Sequence, residues 1–484
     1  MAVQTAMRSY ADLREWLSAV DALHELRTVT GADWHLEIGA LTELMVRRAN
    51  PAPALLFDRI KDYPPGYRLL SNSMASPKRL ALTFGLPDDL GGVALVDAWR
   101  QRIRTLAFTP PREVDAGPVQ QNVIEGAAID LSKLPAPFWH EDDGGRYLGT
   151  GCIAITRDPD TGWVNAGTYR MMIQGPDLLG LYRSPGRHAT LHEQKYFERG
   201  LPFPIAVSLG HDPLLLAAGA ASFGVGVNEL EWAGAVKGAP IDVLRAPYTG
   251  LPVPAASEVV VEGEMLPGEA LPEGPYGEWT GYYASDQRPE PFIRVKRVLH
   301  RDDPIVLGTG VGRPPDDTDY MNAIVRCALT WNALEAAGVP DVQGVWHLQR
   351  IQFCVVAIRQ RYPGHAKQAA VLASQAPGTS YLGRYVVVVD NDIDITDPHH
   401  VLWAMDTRVD PERDIEIIPR CWSGPLDPII PPERKGFNSR AIIDATRPYE
   451  WRDQFPKPAR VSARLEREMI EKWGAEFFTA AWKP

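Results

Sequence analysis

The chain has 484 residues, 45% of them apolar and 23% charged, which suits a soluble protein with a large core and about three domains. A formal net charge of −11 argues against a nucleic-acid backbone as partner, because phosphate binding calls for a basic face, although it leaves room for a local basic pocket. Cys152, Cys327, Cys354 and Cys421 lie far apart without a CxxC pair and read as buried free thiols.

The opening run MAVQTAMRSYADLREW lacks an apolar signal core. The longest uncharged stretch, Pro213 to Asn228, is too short to span a bilayer, so a cytoplasmic protein without a membrane partner is expected. Leu13, Trp16, Leu17, Val20 and Leu23 recur at helical spacing within residues 8–27, predicting an amphipathic helix. A second helical pattern lies near Leu36–Arg48, and Ala54–Ile60 reads as a strand. Thr109-Pro-Pro-Arg112 marks a boundary, after which strand signals dominate. Cys152–Thr156 and Trp163–Ile173 flank Asp158-Pro-Asp-Thr-Gly162, which has the turn chemistry of a hairpin. With Ile205–Leu209, Glu258–Met265 and Phe292–His300 they make the middle third a mostly antiparallel barrel or folded sheet. After Pro304, Tyr320–Ala337 is expected as a helix, with Ile324, Cys327, Trp331 and Leu334 on one face and Gly338 and Pro340 beyond its end. Strand runs at Gln352–Ile358 and Tyr385–Val389 alternate with helical patterns, which suggests an α/β layer. Ser462–Phe478 reads as a last amphipathic helix for docking or oligomerisation. The expected class is α+β or mixed, in regions 1–112, 113–303 and 304–484.

Several familiar signals fail on inspection. Gly308-Thr-Gly310-Val-Gly312 follows a strand, but Arg313 stands where a dinucleotide fingerprint needs a small residue. Ser184 and Ser222 lack the nucleophile-elbow pattern. Asp390, Asp392 and Asp394 have calcium-loop spacing but follow the strand Val386–Val389 and lack the closing glutamate.

The run Glu273-Gly-Pro-Tyr-Gly-Glu278 carries more. Two acids five apart point away from each other in a regular strand or helix, whereas Gly274-Pro275 and Gly277 imply a turn that brings both to one side of a cleft. Arg170, in Asn165-Ala-Gly-Thr-Tyr-Arg170, completes a kit for holding a carboxylic acid and moving a proton. Alone, the six residues also read as a solvated acidic loop.

The segments NAGTYR, NELEWAGAVKG, EGPYGEWTGY, VVVVDNDIDI, WAMDTRVDPERD and IIDAT resemble, in content and order, the UbiD family of decarboxylases, over roughly Ala54 to Thr446. The resemblance implies an amino-terminal α/β region, a split β-barrel of flavin-reductase type and a carboxy-terminal α/β domain. It implies removal of a carboxylate from an aromatic, heteroaromatic or α,β-unsaturated acid through a covalent adduct with prenylated FMN. No side chain is a good sink for the electron pair left on carbon, so a cofactor is chemically required. By resemblance Arg170 clamps the substrate carboxylate and contacts the flavin, Glu273 holds Arg170, and Glu278 is the proton donor.

Asn165, His188 and Glu229 are implied as ligands of manganese, or magnesium, bridging to the flavin phosphate. His192, one helical turn from His188, stays open as the alternative. Potassium is implied at Glu229 and the carbonyls of Ala220 and Ala221. Thr168 and Tyr169 belong to the cofactor-binding motif, and Arg384 is a candidate phosphate contact where some relatives place a lysine. Val345, Trp346, His347, Gln349 and Phe437 fall where the family lines its substrate pocket. His347 reads equally well as a hydrogen-bonding group or as a core histidine. Expected partners are a flavin prenyltransferase and a second copy of the chain, as a homodimer or larger homo-oligomer. The rival readings are a flavin oxidoreductase on a split barrel and a non-catalytic cofactor-handling subunit.

Overall fold

A computed structural model describes residues 10–183, 186–221 and 223–477. Residues 8 and 9 of the first expected helix, Phe478 at the end of the last, and Ser184 and Ser222 lie outside them. Helix Leu13–Ala22 is started by Asp12, whose carboxylate accepts from the Glu15 amide, and buries Leu13, Trp16, Leu17 and Val20. Helix Glu37–Arg48 and strand Ala54–Asp58 follow within a residue or two of their sequence patterns. Strands Leu26–Thr30, Ala54–Asp58, Arg68–Ser71 and Ile305–Leu307 form one sheet in that order. Its last member returns from far along the chain: Ile305–Leu307, just inside the expected third region, pairs in parallel with Arg68–Leu70.

The middle sheet is antiparallel. Its order runs Tyr147–Gly149, Met171–Gly175, Leu178–Gly180, Phe292–His300, Val259–Met265, Phe203–Leu209, Cys152–Arg157, Val164–Gly167, with Asn122–Glu125 also pairing Phe292–His300. Val164–Gly167 is at one edge and Met171–Gly175 is next to the other, yet only Thr168–Arg170 separate them in sequence. Four extended steps reach at most about 14 Å, so the sheet must curl until its edges face each other. This is the folded, barrel-like antiparallel sheet expected, and it breaks the predicted continuous strand Trp163–Ile173 at the residues that carry the motif. Ile153, Ile155 and Ala206 point to one side of the sheet, and Cys152, Ala154, Ile205 and Val207 fill the other.

The uncharged stretch after Asp212 becomes helix Pro213–Ala220, apolar all round and buried apart from its last residue. Helix Glu229–Lys237 follows, capped by the Asn228 carboxamide. The carboxy-terminal sheet has the order Val342–Gln349, Phe353–Ile358, Tyr385–Asp390, Phe437–Ala445, Ile415–Trp422. Helices Asp319–Ala336 and His365–Gln375 bury Cys327, Leu334, Ala369 and Ala373 in one core, and Pro398–Arg408 adds Val401 and Ala404 to another. Two-sided cover explains the unbroken apolar run Val386–Val389. The four cysteines are buried and free. Among the described residues no helix is long and apolar enough to cross a membrane.

Candidate active site

Strand Leu271–Glu273 pairs with Arg288–Glu290, and residues 274–278 continue as an irregular stretch, Gly277 bridging Tyr283, so the chain reverses only beyond Glu278 and not at the expected Gly274–Gly277 turn. The loop around Asp143 braces this stretch. The Asp143 carboxylate accepts from the Gly277 amide at 2.9 Å, and the Gly144 amide donates to the Pro275 carbonyl at 2.7 Å. A Cβ on Gly144 would collide with the Gly274 carbonyl, so glycine is what lets the two backbones lie this close.

This irregular stretch delivers both carboxylates to one guanidinium. Arg170 grips Glu273 with two parallel bonds, Nε to Oε1 at 2.9 Å and Nη2 to Oε2 at 2.8 Å, while Nη1 goes to Glu278. The Tyr147 hydroxyl donates to Glu273 Oε1 at 3.1 Å. The guanidinium carbon lies 3.9 Å from the Tyr182 ring centre and 5.1 Å from that of Tyr276. Glu273 is 1% exposed and Glu278 7%. Burial raises the Glu278 pKa, the Arg170 charge opposes the rise and Glu273 reinforces it. For Arg170, burial is outweighed by the bonds and charges of its two carboxylates, so it stays firmly protonated. Glu273 therefore holds the arginine through two bonds and Glu278 through one, with the pKa of the Glu278 carboxyl raised.

A second polar cluster lies just before Arg170 in the chain. Asn165 Oδ1 is 3.2 Å from His188 Nδ1, and Glu229 Oε2 accepts from the Ala166 amide at 2.8 Å. Burial pushes the Glu229 carboxyl up to about 7, and it has no cationic partner among the described residues. Burial first, and the Arg187 charge second, lower the His188 pKa, so its ring is neutral as ligation requires. Asn165 Nδ2 is buried without a partner. No three His, Cys, Asp or Glu side chains cluster for a metal among the described residues, so the set reaches three only through the Asn165 amide. His192 is differently placed. It is fully buried against Trp163, and its Nδ1 is 2.9 Å from Thr156 Oγ1.

Between the middle sheet and the carboxy-terminal region lies a cavity of about 220 Å³. Thr168, Gly219 and Ala220 line one side, and Asn322, Arg326 and Tyr381 the other. Thr168 Oγ1 is buried and unpaired. Arg350 also lines the cavity but is taken by Asp316 and Asp319.

Other expected site residues sit elsewhere. Tyr169 is in the core of the middle sheet, where its hydroxyl accepts from the Ala189 amide at 3.4 Å. Ala221 follows helix Pro213–Ala220. Arg384, the candidate phosphate contact, is bound instead to Asp427 at 2.6 Å. Trp346, His347 and Phe437 are not among the residues lining the described cavity. Trp346 packs into the hydrophobic cores, and Phe437 is 54% exposed beside Arg420. His347 is buried with both ring nitrogens unpaired, and burial first and the Arg326 charge second push its pKa down to about 3. Sequence reasoning missed Tyr147, Tyr182, Arg187 and Arg326. Tyr276 sits inside the acidic motif and was open to notice, but the others gain their place only from the fold.

The chain matches three consecutive domains described for 3-octaprenyl-4-hydroxybenzoate carboxy-lyase: the N-terminal domain over residues 17–99, the Rift-related domain over 112–314 and the C-terminal domain over 319–445. It is 33% identical to the pyrrole-2-carboxylic acid decarboxylase of Pseudomonas aeruginosa, across 96% of this chain and 98% of that one. The phenolic acid decarboxylase of Bacillus subtilis is also 33% identical, with 93% and 96% covered. Among solved structures, the UbiD-class enzyme HmfF from Pelotomaculum thermopropionicum in complex with FMN superposes with a TM-score of 0.85 at 30% identity, over 96% and 100% of the two chains. An evolved dimeric form of HmfF in complex with prFMN gives 0.81 at 28%, over 96% and 100%. Three domain matches in order, full-length relatives and a common fold lead to one conclusion: the chain belongs to the UbiD family of decarboxylases.

Proposed function

We propose that this protein is a prenylated-FMN-dependent decarboxylase of an aromatic, heteroaromatic or α,β-unsaturated carboxylic acid, with Arg170, Glu273 and Glu278 as its catalytic residues. The observation that carries the reading is the buried Arg170 held between Glu273 and Glu278, close to a cavity rich in arginine. The pyrrole-2-carboxylic and phenolic acid activities of the relatives favour a ring-bearing acid.

When bound, prenylated FMN would supply the electron sink for the pair left on carbon. Thr168 and Asn165 offer it unpaired buried polar atoms, and Ala220 offers a close backbone wall. The donor set Asn165, His188 and Glu229 suits manganese or magnesium, with oxygen and imidazole ligands for a hard-to-borderline cation. The last carbonyls of helix Pro213–Ala220, at Ala220 and Ala221, carry the negative end of its dipole and with Glu229 suit potassium. Before reaction, the substrate carboxylate competes for Arg170 Nη1, and protonation of Glu278 releases that donor to it. After carbon dioxide leaves, Glu278 delivers its proton to the vacated carbon, becomes carboxylate again and reclaims Nη1. Glu273, with its other two bonds to Arg170 unbroken, keeps the guanidinium in place throughout.

A flavin prenyltransferase supplies the cofactor in this reading, and the protein works in the cytoplasm as a homo-oligomer. Exposed Leu465, Ile470, Trp473 and Phe477 on helix Ala463–Phe477 support the oligomer. The test is co-expression with a flavin prenyltransferase, followed by an absorption spectrum and a carboxylic-acid panel. Bound prenylated flavin with carbon dioxide release is expected. A loaded protein inert towards every aromatic and acrylic acid would refute the reading.

A further inference from the structure

The cavity has three arginines in its wall and no aspartate or glutamate. Arg350 is neutralised by Asp316 and Asp319 from behind. Arg187 and Arg326 are not: neither guanidinium has a hydrogen bond or ion pair among the described residues. Arg326 belongs to helix Asp319–Ala336, and Arg187 immediately precedes helix His188–Phe197. Arg326 feels the charge of Arg187, and both are on the same cavity. Arg187 is exposed, but Arg326 is drawn largely out of solvent with a like charge and no carboxylate beside it among the described residues, a costly arrangement unless an anion joins the two. Arg326 also lines a smaller pocket with Ala220 and Ala221, which places it against the end of helix Pro213–Ala220. Unpaired Thr168 Oγ1 is in the wall of the larger cavity.

Resting on the flavin reading above, we infer that Arg326, reaching across from the carboxy-terminal region, is the phosphate-binding cation for the flavin, with Arg187 as its companion. A guanidinium suits this role through its fork of donors, which matches phosphate oxygens in pairs. Arg384 cannot serve while Asp427 holds it. The arrangement also ties the two halves of the cleft together: one phosphate contacts Thr168 on the middle sheet and Arg326 on the carboxy-terminal region, so cofactor binding favours their approach.

The test compares FMN with riboflavin, which lacks only the phosphate, by quenching of flavin fluorescence on the purified full chain with manganese present. Wild type is expected to prefer FMN by at least about tenfold. Arg326→Gln and Arg326→Met should each cut that preference about tenfold or more, the typical weight of a charge-assisted hydrogen bond, while leaving riboflavin affinity within about twofold. Arg384→Gln should leave the preference unchanged. Riboflavin binding also reports that each variant is folded. Should neither neutral variant fold, wild type decides alone, because its FMN affinity must fall with added salt far more steeply than its riboflavin affinity. An unchanged preference in a folded Arg326 variant, or no preference and no salt effect in wild type, overturns the assignment and leaves the flavin reading standing. Failure to bind either flavin overturns both.

Discussion

Glu273→Gln tests the acid–arginine set most directly, because it keeps the side chain's shape and removes one charge. Removing one partner of a buried ion pair costs about 3–5 kcal/mol when the other charge is stranded. Here Arg170 is not stranded, since Glu278 holds Nη1 and the new amide oxygen still accepts one bond. The loss should therefore be smaller, about 2–3 kcal/mol, and solvent screening does not reduce it further because both side chains are buried. The greater effect falls on Glu278. It loses the neighbouring negative charge that helps to raise its pKa, and it becomes the sole anionic partner of Arg170. Both changes push its pKa down, so it holds its proton less well at working pH. Urea unfolding of cofactor-free protein measures the first effect. The pH profile of decarboxylation measures the second: activity should fall by roughly a hundredfold, with the basic limb displaced to lower pH. A variant as stable as wild type, with an unmoved limb, would refute this account of Glu273.

Glu278→Gln should retain flavin yet lose on the order of a hundred- to ten-thousand-fold in turnover, and near-normal turnover in loaded protein would remove Glu278 from the mechanism. Asn165→Ala, Glu229→Ala and His188→Ala should each lower manganese and cofactor retention, measured by metal analysis and absorption, whereas His192→Ala should chiefly lower stability because its ring is fully buried. His347→Leu should leave substrate preference unchanged and be neutral or stabilising, since it removes a buried ring with no hydrogen bond. The pH sign follows from its folded pKa of about 3, below the ordinary 6.5. The unfolded chain takes up a proton first, so stability is full above pH 6.5 and declines as pH falls towards 3, by up to about 1.4 kcal/mol per unit for one group. Denaturation curves for His347→Leu should therefore decline less steeply than wild type below pH 6.5, and parallel curves would contradict the core placement.

What the sequence by itself determined was local. Hydrophobic spacing located helices Leu13–Ala22, Glu37–Arg48 and Asp319–Ala336, because one apolar face repeats every three to four residues whatever it later packs against. Glycine and proline punctuation between Glu273 and Glu278 marked a break from regular structure, although the chain reverses only after Glu278. The choice of partners was a tertiary matter. Nothing local reveals that Arg170 meets two glutamates more than a hundred residues away, or that Tyr147 braces one of them. Arg384 reads as a phosphate ligand until Asp427 claims it, and the burial of His347 is visible only in the fold. Arg187 and Arg326 look like any other arginines in the chain. Their significance lies in the lack of a carboxylate around them, and only the folded neighbourhood decides which charges lie within reach and which are left bare.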